Sequence, residues 1–131
     1  LDTETKYSFG LKGIIDNYVY DPETKVVTVN DFKTTGKTIS EFKETVDYYH
    51  YWMQAAIYYK LIEGNFKGLS EIRFNFIVID KYQQVFAFPV CAATLHSWIW
   101  ELEECLKKAD YHYNSRNYSL PYDYIVNKVT L

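Results

Sequence analysis

Apolar residues near the start of the chain form two runs that predict a β-hairpin. Residues 6–20 are rich in Tyr, Phe, Ile and Val, and residues 25–34 resume the run with Val and Thr. Between the two runs, Asp21-Pro22-Glu23-Thr24 is a typical turn sequence. Gly10 and Gly13 are expected to mark a bend or a bulge in the first strand.

Helical spacing begins after Gly36. Thr38 and Glu41 have the three-residue separation of a capping box, and Gly64 is expected to end the helix. Within these limits apolar residues recur at helical intervals, at Phe42, Val46, Tyr49, Met53, Ile57 and Leu61. We therefore predict one long amphipathic helix.

The second half of the chain repeats this order. Residues 71–80 and 84–90 predict two antiparallel strands joined by a short turn. A second helix is marked by apolar residues at Leu95, Ile99, Leu102, Leu106 and Ala109. Residues 114–124 have no period, and residues 125–131 predict a short edge strand. Hairpin, helix, hairpin and helix together predict an α/β fold in a single domain over residues 1–131.

Composition narrows the class of protein. A chain of 131 residues with 48% hydrophobic and 24% charged residues is expected to fold as one domain. The net charge of −3 argues against a broad basic surface, so any nucleic-acid role requires a local site. Because no apolar stretch is long enough for a membrane span and no leader pattern is present, we expect a cytoplasmic protein. Cys91 and Cys105 lack metal-site spacing and are expected to be reduced, packed thiols.

Candidate chemistry centres on the end of the second predicted strand. Of the triplets that combine an acidic residue, any residue and a lysine, only Asp31-Phe32-Lys33 ends an apolar strand, where alternate side chains share a face. A turn centred between Glu23 and Thr24 pairs residues whose numbers sum to 47, which places Asp16 opposite Asp31. Two carboxylates and a lysine would then converge.

Two explanations of this cluster remain open. Opposed carboxylates repel each other without a counter-ion, and Mg²⁺ held by hard oxygen ligands would remove the repulsion. Lys33 would then orient, or help to deprotonate, a water that attacks a phosphate. The alternative is a solvated hairpin face on which Asp16 or Asp31 only pairs with Lys33.

The first predicted helix carries a polar and aromatic line. His50, Gln54 and Tyr58 follow each other at four-residue intervals and should share one face. Beside the carboxylates, their neutral groups could hold phosphates or base edges of DNA. Thr34 and Thr35 could do the same through hydroxyls and backbone amides. The alternatives are a half-buried boundary stripe on the helix and ordinary turn-and-cap roles for the threonines.

In order and content these segments resemble a known family. Gly13-Ile14-Ile15-Asp16, Asp31-Phe32-Lys33-Thr34-Thr35-Gly36 and Gln54-Ala55-Ala56-Ile57-Tyr58 are similar to the successive motifs of the PD-(D/E)xK nuclease superfamily. The similarity is to its RecB-like branch, which includes lambda-type and exonuclease VIII-type phage exonucleases and in which a pair such as Ile15-Asp16 usually replaces proline-aspartate. The resemblance spans nearly the whole chain, because the second predicted hairpin and helix also resemble the rest of that fold.

The resemblance implies a mixed central β-sheet, built from the two hairpins and flanked by helices, as in restriction-endonuclease-like cores. It also implies hydrolysis of DNA phosphodiester bonds with Mg²⁺ or Mn²⁺, in phage recombination or DNA repair. Asp16, Asp31 and the backbone carbonyl of Phe32 would be metal ligands, and Lys33 would be the catalytic lysine. Gln54 and Tyr58 would lie near the site and the DNA.

One element of the family pattern is missing from the sequence. A glutamate on an upstream helix commonly completes the metal shell in this family, whereas only Asp2 and Glu4 precede Asp16. We therefore expect a fragment that lacks its N-terminal helix. The expected function is a metal-dependent DNA exonuclease whose partners are DNA, further copies of the chain or a recombination protein. The alternative is a catalytically silent domain that binds DNA or a protein.

Overall fold

A four-stranded mixed sheet is the framework on which the helices pack. The computed structural model describes residues 1–36, 38–48 and 50–116. The strands are β1 (Asp2–Thr3), β2 (Leu11–Lys12), β3 (Asn17–Asp21), β4 (Val26–Thr34), β5 (Glu71–Ile79) and β6 (Val85–Val90). The helices are α1 (Phe42–Tyr48), α2 (Tyr51–Asn65) and α3 (Ala92–Ser115), with one 3-10 turn (Ile39–Glu41) before α1. The α/β class and the element order are as predicted.

The main sheet joins the two predicted hairpins. Its strand order is β3-β4-β5-β6, and β1 pairs with β2 as a separate ribbon. Strands β3 and β4 are antiparallel, β5 and β6 are antiparallel, and the central pair β4 and β5 is parallel. Parallel neighbours need a crossover connection, which α1 and α2 supply. The prediction of a mixed central sheet flanked by helices is therefore confirmed at this level.

The predicted register of the first hairpin is also confirmed. Its pairs run from Asn17 opposite Asn30 to Asp21 opposite Val26. The turn holds this register because the Asp21 carboxylate accepts the Glu23 N–H at 3.0 Å and the Asp21 carbonyl accepts the N–H of residue 25 at 2.8 Å. Local turn chemistry thus decides which residues face each other at the far end of the hairpin.

The first strand is shorter than predicted. Residues 6–9 bend instead of pairing, and the Thr5 hydroxyl accepts the Tyr7 N–H at 3.1 Å and donates to the Phe9 carbonyl. Tyr7, Phe9 and Leu11 pack against a cluster of buried side chains from α2 and α3. The apolar content of this segment therefore serves packing on helices. The first strand of the hairpin, predicted over residues 6–20 with a bend or bulge at Gly10 and Gly13, covers only Asn17–Asp21.

The predicted long helix is two helices. α1 ends at Tyr48 and α2 begins at Tyr51, because His50 adopts a left-handed backbone conformation with φ of 56°. The capping box does not form either, since the Thr38 side chain makes no cap hydrogen bond and contacts the Ser40 hydroxyl instead.

Gly64 does not end the second helix, which continues to Asn65. Its role is close approach: a Cβ at this position would lie 1.9 Å from Thr3 Oγ1 in the neighbouring strand β1. The glycine therefore lets α2 and β1 pack together. Its position near the end of the helix had suggested a helix terminator, but its role is this close contact.

The hydrophobic core lies on one face of the main sheet. Alternate residues of the two central strands are buried there against side chains from all three helices, namely Val27, Val29, Phe74, Phe76 and Val78 with Phe42, Val46, Ala55, Leu61, Ile62 and Leu95. By the same alternation, Asp31 lies on this buried face and Phe32 points to the opposite face, where its side chain is 52% exposed.

The remaining predictions concern the second half of the chain. β5 and β6 form where expected, and α3 forms as predicted but continues to Ser115, beyond the last predicted apolar position at Ala109. Cys91 and Cys105 are both free thiols, but Cys91 is exposed because it precedes the first turn of α3, so the prediction of a packed thiol was wrong there. The edge strand predicted for residues 125–131 lies outside the described residues. In the part of the chain that the structure describes, no helix has the length and apolar character needed to cross a membrane.

Candidate active site

Asp31 is the centre of the candidate site. It follows Val27 and Val29 on the buried face of β4, and its exposed fraction is 0%. Neither of its carboxylate oxygens accepts a hydrogen bond of good geometry from any described residue. Buried polar groups in folded proteins are nearly always hydrogen-bonded, so this carboxylate is an exception that needs a reason.

Lys33 is the nearest positive charge to this carboxylate. Its ammonium lies 2.9 Å from Asp31 Oδ2, although the approach lacks hydrogen-bond angles, and its side chain is only 14% exposed. The ammonium also donates to Gln54 Oε1 at 2.5 Å and lies 4.3 Å from the centre of the Tyr51 ring. Lys33 is thus held on three sides by Asp31, Gln54 and Tyr51.

Asp16 brings a second carboxylate to the same place. It lies one residue beyond the last pair of the first hairpin, where the register continues to Asp31, and its Oδ2 accepts the Phe32 N–H at 3.0 Å. An extended residue directs its N–H and its carbonyl to the same strand edge, so the Phe32 carbonyl faces the side of Asp16. Gly13 permits this path, because a Cβ there would lie 3.0 Å from a methyl group of Leu61 in α2.

The charges around Asp31 change its acidity. Burial is the main reason that the pKa of Asp31 rises to about 6, and the Lys33 ammonium opposes this rise. The neighbouring Asp16 raises the pKa of Asp31 further by accepting a hydrogen bond from its protonated form and by charge repulsion. A joint negative charge on the two aspartates is therefore unfavourable, as the sequence predicted.

One face of α2 covers the cluster. Tyr51, Gln54 and Tyr58 lie three and four residues apart on this face, and Gln54 Nε2 donates to the Tyr58 hydroxyl oxygen at 2.8 Å. Tyr58 is buried, and burial raises the pKa of its phenol, with the charges of Asp31 and Asp16 adding to that effect. The predicted pair of Gln54 and Tyr58 is therefore brought to the carboxylates.

His50 does not belong to this line, which corrects the prediction. It lies before the first residue of α2 in a left-handed conformation, and its side chain is exposed beside Trp52. Tyr51 takes its place on the helix face. Sequence reasoning missed Tyr51, although its separation of three residues from Gln54 is as typical of one helix face as the separation of four that suggested His50.

The two threonines after Lys33 are less central than predicted. The side chain of Thr34 is exposed and, by strand alternation, lies on the sheet face opposite Lys33. The backbone N–H of Thr35 donates to the Ile79 carbonyl at 2.9 Å, which extends the pairing of β4 and β5. This amide is therefore occupied within the sheet and is not available to a phosphate.

The donor set fits a hard divalent cation. Two carboxylates, one of them buried without a hydrogen-bond donor, and a nearby backbone carbonyl are the oxygen ligands that Mg²⁺ and Mn²⁺ prefer. Among the described residues no group of three or more His, Cys, Asp or Glu side chains is gathered in one place. Asp16 and Asp31 are thus the two carboxylates that this site would offer to such a cation, with the Phe32 carbonyl on the side of Asp16.

No protein-family model matches the chain, and no curated protein matches it significantly.

Proposed function

We propose that this domain is a metal-dependent DNA exonuclease with Mg²⁺ or Mn²⁺ as its cofactor. The observation that carries the proposal is the Asp31 carboxylate, which is fully buried, accepts no hydrogen bond of good geometry from the described residues and lies beside Asp16 and 2.9 Å from the Lys33 ammonium. The choice of DNA, of digestion from an end, and of a role in phage recombination or repair rests on the motif resemblance.

Each side chain has a distinct role in this proposal. Asp16, Asp31 and the Phe32 carbonyl would hold the cation, which when bound would polarise the phosphate as a Lewis acid and increase the acidity of a water molecule. Lys33 orients the attacking water and stabilises the negative charge that develops on the phosphate oxygens. Gln54 fixes the Lys33 ammonium through its carbonyl oxygen.

The test is degradation of end-labelled linear duplex DNA by the folded full-length protein, in Mg²⁺ and in EDTA. Closed circular DNA of the same sequence is the matched substrate control, since an exonuclease needs an end. We expect loss of the linear form only, only with metal, and not with the Asp31→Asn variant. Nicking of the circular DNA would show an endonuclease rather than an exonuclease. If the well-folded protein cleaves neither DNA in the presence of metal, the proposal is overturned.

A second candidate function is a catalytically silent domain that binds DNA or a protein partner. The small number of acidic ligands in the described part of the chain and the net charge of −3 favour it. Calorimetric titration with Mn²⁺ separates the two functions without a cleavage assay. Binding that disappears in Asp31→Ala supports the nuclease, whereas DNA binding in EDTA with no metal uptake supports the silent domain.

A further inference from the structure

Tyr51 contacts the Lys33 ammonium through the face of its ring. The distance of 4.3 Å from Nζ to the ring centre is within the range of a cation-π interaction. The ring is half-buried, and its neighbours are the aromatic rings of Phe42 at 6.4 Å and Phe76 at 6.3 Å. Packing between α1 and β5 therefore fixes the orientation of the ring face that Lys33 meets.

Tyr51 is the first residue of α2, three residues before Gln54 on the same helix face. Because α2 starts at Tyr51, the side chains of Tyr51 and Gln54 occupy the first turn of the helix that faces the end of β4. Both partners are neutral and electron-rich toward the ammonium, one through a ring face and one through an amide oxygen.

Gln54 and Tyr51 would hold the Lys33 ammonium when the Asp31 carboxylate binds a cation instead of Lys33. A divalent cation on Asp31 would compete with Lys33 for the carboxylate and would repel the ammonium. Gln54 and Tyr51 attract the ammonium without adding a negative charge that would bind a second cation. They can therefore keep Lys33 in place in both the metal-free and the metal-bound protein.

We infer that Tyr51 is a positioning residue that holds the Lys33 ammonium beside Asp31. This inference rests on the proposed function for its catalytic consequence, but the contact itself is testable without cleavage. Removing the ring face should lower kcat about three- to thirtyfold, the range expected for one cation-π interaction at a partly buried site. KM for DNA should change little, since Tyr51 acts through Lys33.

The first experiment is NMR of protein with ¹³C-labelled lysine ε positions, with and without Mg²⁺. Protons over a ring face resonate upfield, so the Lys33 signal, assigned through Lys33→Met, should stand apart from the other lysines. We expect it to keep that position in Tyr51→Phe, which retains the ring, and to lose it in Tyr51→Leu, which retains apolar volume. Thermal melts establish that each variant is folded.

The second experiment measures kcat and KM of the same variants. Tyr59→Leu is the matched control, because Tyr59 is a half-buried tyrosine of α2 whose ring contacts His96 rather than Lys33. The inference is supported if kcat falls in Tyr51→Leu but stays at the wild-type value in Tyr51→Phe and in Tyr59→Leu. Unchanged kcat in Tyr51→Leu, or a Lys33 signal at the ordinary lysine position, would overturn it. An upfield Lys33 signal in a protein that does not cleave DNA would support the contact and refute the proposed function.

Discussion

Replacing Asp31 by asparagine keeps the shape of the side chain and removes the charge that β4 buries. The pKa of Asp31 is raised from 3.8 to about 6, so the folded protein binds this proton more tightly than the unfolded chain does. The difference corresponds to about 3 kcal/mol of destabilisation when the group is ionised. We expect Asp31→Asn to recover up to this amount in metal-free protein.

The sign of the pH dependence follows from the same pKa difference. Below about pH 4 the carboxyl group is protonated in both states, and Asp31→Asn should then match the wild type. As the pH rises from about 4 to about 6 the unfolded chain loses the proton first, so the free energy of unfolding of the wild type falls. The gain in the variant should be complete above about pH 7 and stay constant beyond it.

Thermal melts in EDTA at pH 4 and pH 8 provide the measurement. A gain of about 3 kcal/mol would raise Tm by on the order of 10 °C in a domain of this size. Saturating Mg²⁺ should remove most of this difference, since a hundredfold excess over Kd adds about 2.7 kcal/mol to the wild type and little to the variant.

Asp80 is the matched control, because it is also buried but accepts the backbone N–H groups of Tyr82 and Gln84 at 2.9 Å. Asp80→Asn should give no gain at pH 8 and no change in the Mg²⁺ response. If Asp31→Asn is less stable than the wild type at pH 8 in EDTA, the pair with Lys33 is structural. An equal Mg²⁺ response in both proteins would mean that the hairpin is not a metal site.

Three further predictions follow from the contacts of single residues. Lys33→Met should abolish cleavage and, because it leaves the Asp31 charge unpaired, should lower stability at pH 8 by about 1–3 kcal/mol but much less at pH 4, as measured by denaturant titration. Gln54→Ala should lower kcat with a loss of at most about 1 kcal/mol in stability, since alanine is the better helix former. Gly64→Ala should destabilise by about 1–3 kcal/mol despite helix propensity, and Thr3→Gly should relieve part of that loss in a double-mutant cycle.

These three predictions can each fail separately. Equal destabilisation by Lys33→Met at both pH values would show that the ion pair with Asp31 contributes nothing. A large fall in Tm with normal activity in Gln54→Ala would support the alternative of a boundary stripe on the helix. A Gly64→Ala protein more stable than the wild type would show that α2 and β1 can separate without cost.

The parts of the fold that could be predicted from the sequence are those that local chemistry decides. The Asp21 turn fixes the hairpin register through hydrogen bonds within five residues, so the meeting of Asp16 with Asp31 could be predicted by counting. The second hairpin and α3 are likewise bounded by turn residues and by a regular apolar period.

The parts that were missed depend on contacts between distant segments. Nothing in the sequence around His50 marks a helix break, because no glycine or proline is present there and the apolar period continues without interruption. The break coincides with packing against distant strands: Phe42 of α1 contacts Phe88 of β6 and Phe76 of β5, and Ala55 and Leu61 of α2 belong to the same core. The loss of His50 from the helix face follows from this break, whereas Tyr51, three residues before Gln54, lies on that face with or without it.

The hydrogen bonds of the site form a chain in which Lys33 donates to Gln54 and Gln54 donates to Tyr58. The donor or acceptor character of each residue therefore restricts which residue type its neighbour can be. A lysine ammonium can only donate, so Gln54 must turn its carbonyl oxygen to Lys33 and its amide group to the Tyr58 hydroxyl oxygen. Tyr58 therefore accepts from Gln54, and its own hydroxyl hydrogen is left to point elsewhere. A glutamate at position 54 would accept from both neighbours and add a negative charge near Asp31, so it could bind Lys33 but would reverse the bond to Tyr58 and worsen the repulsion at the carboxylates.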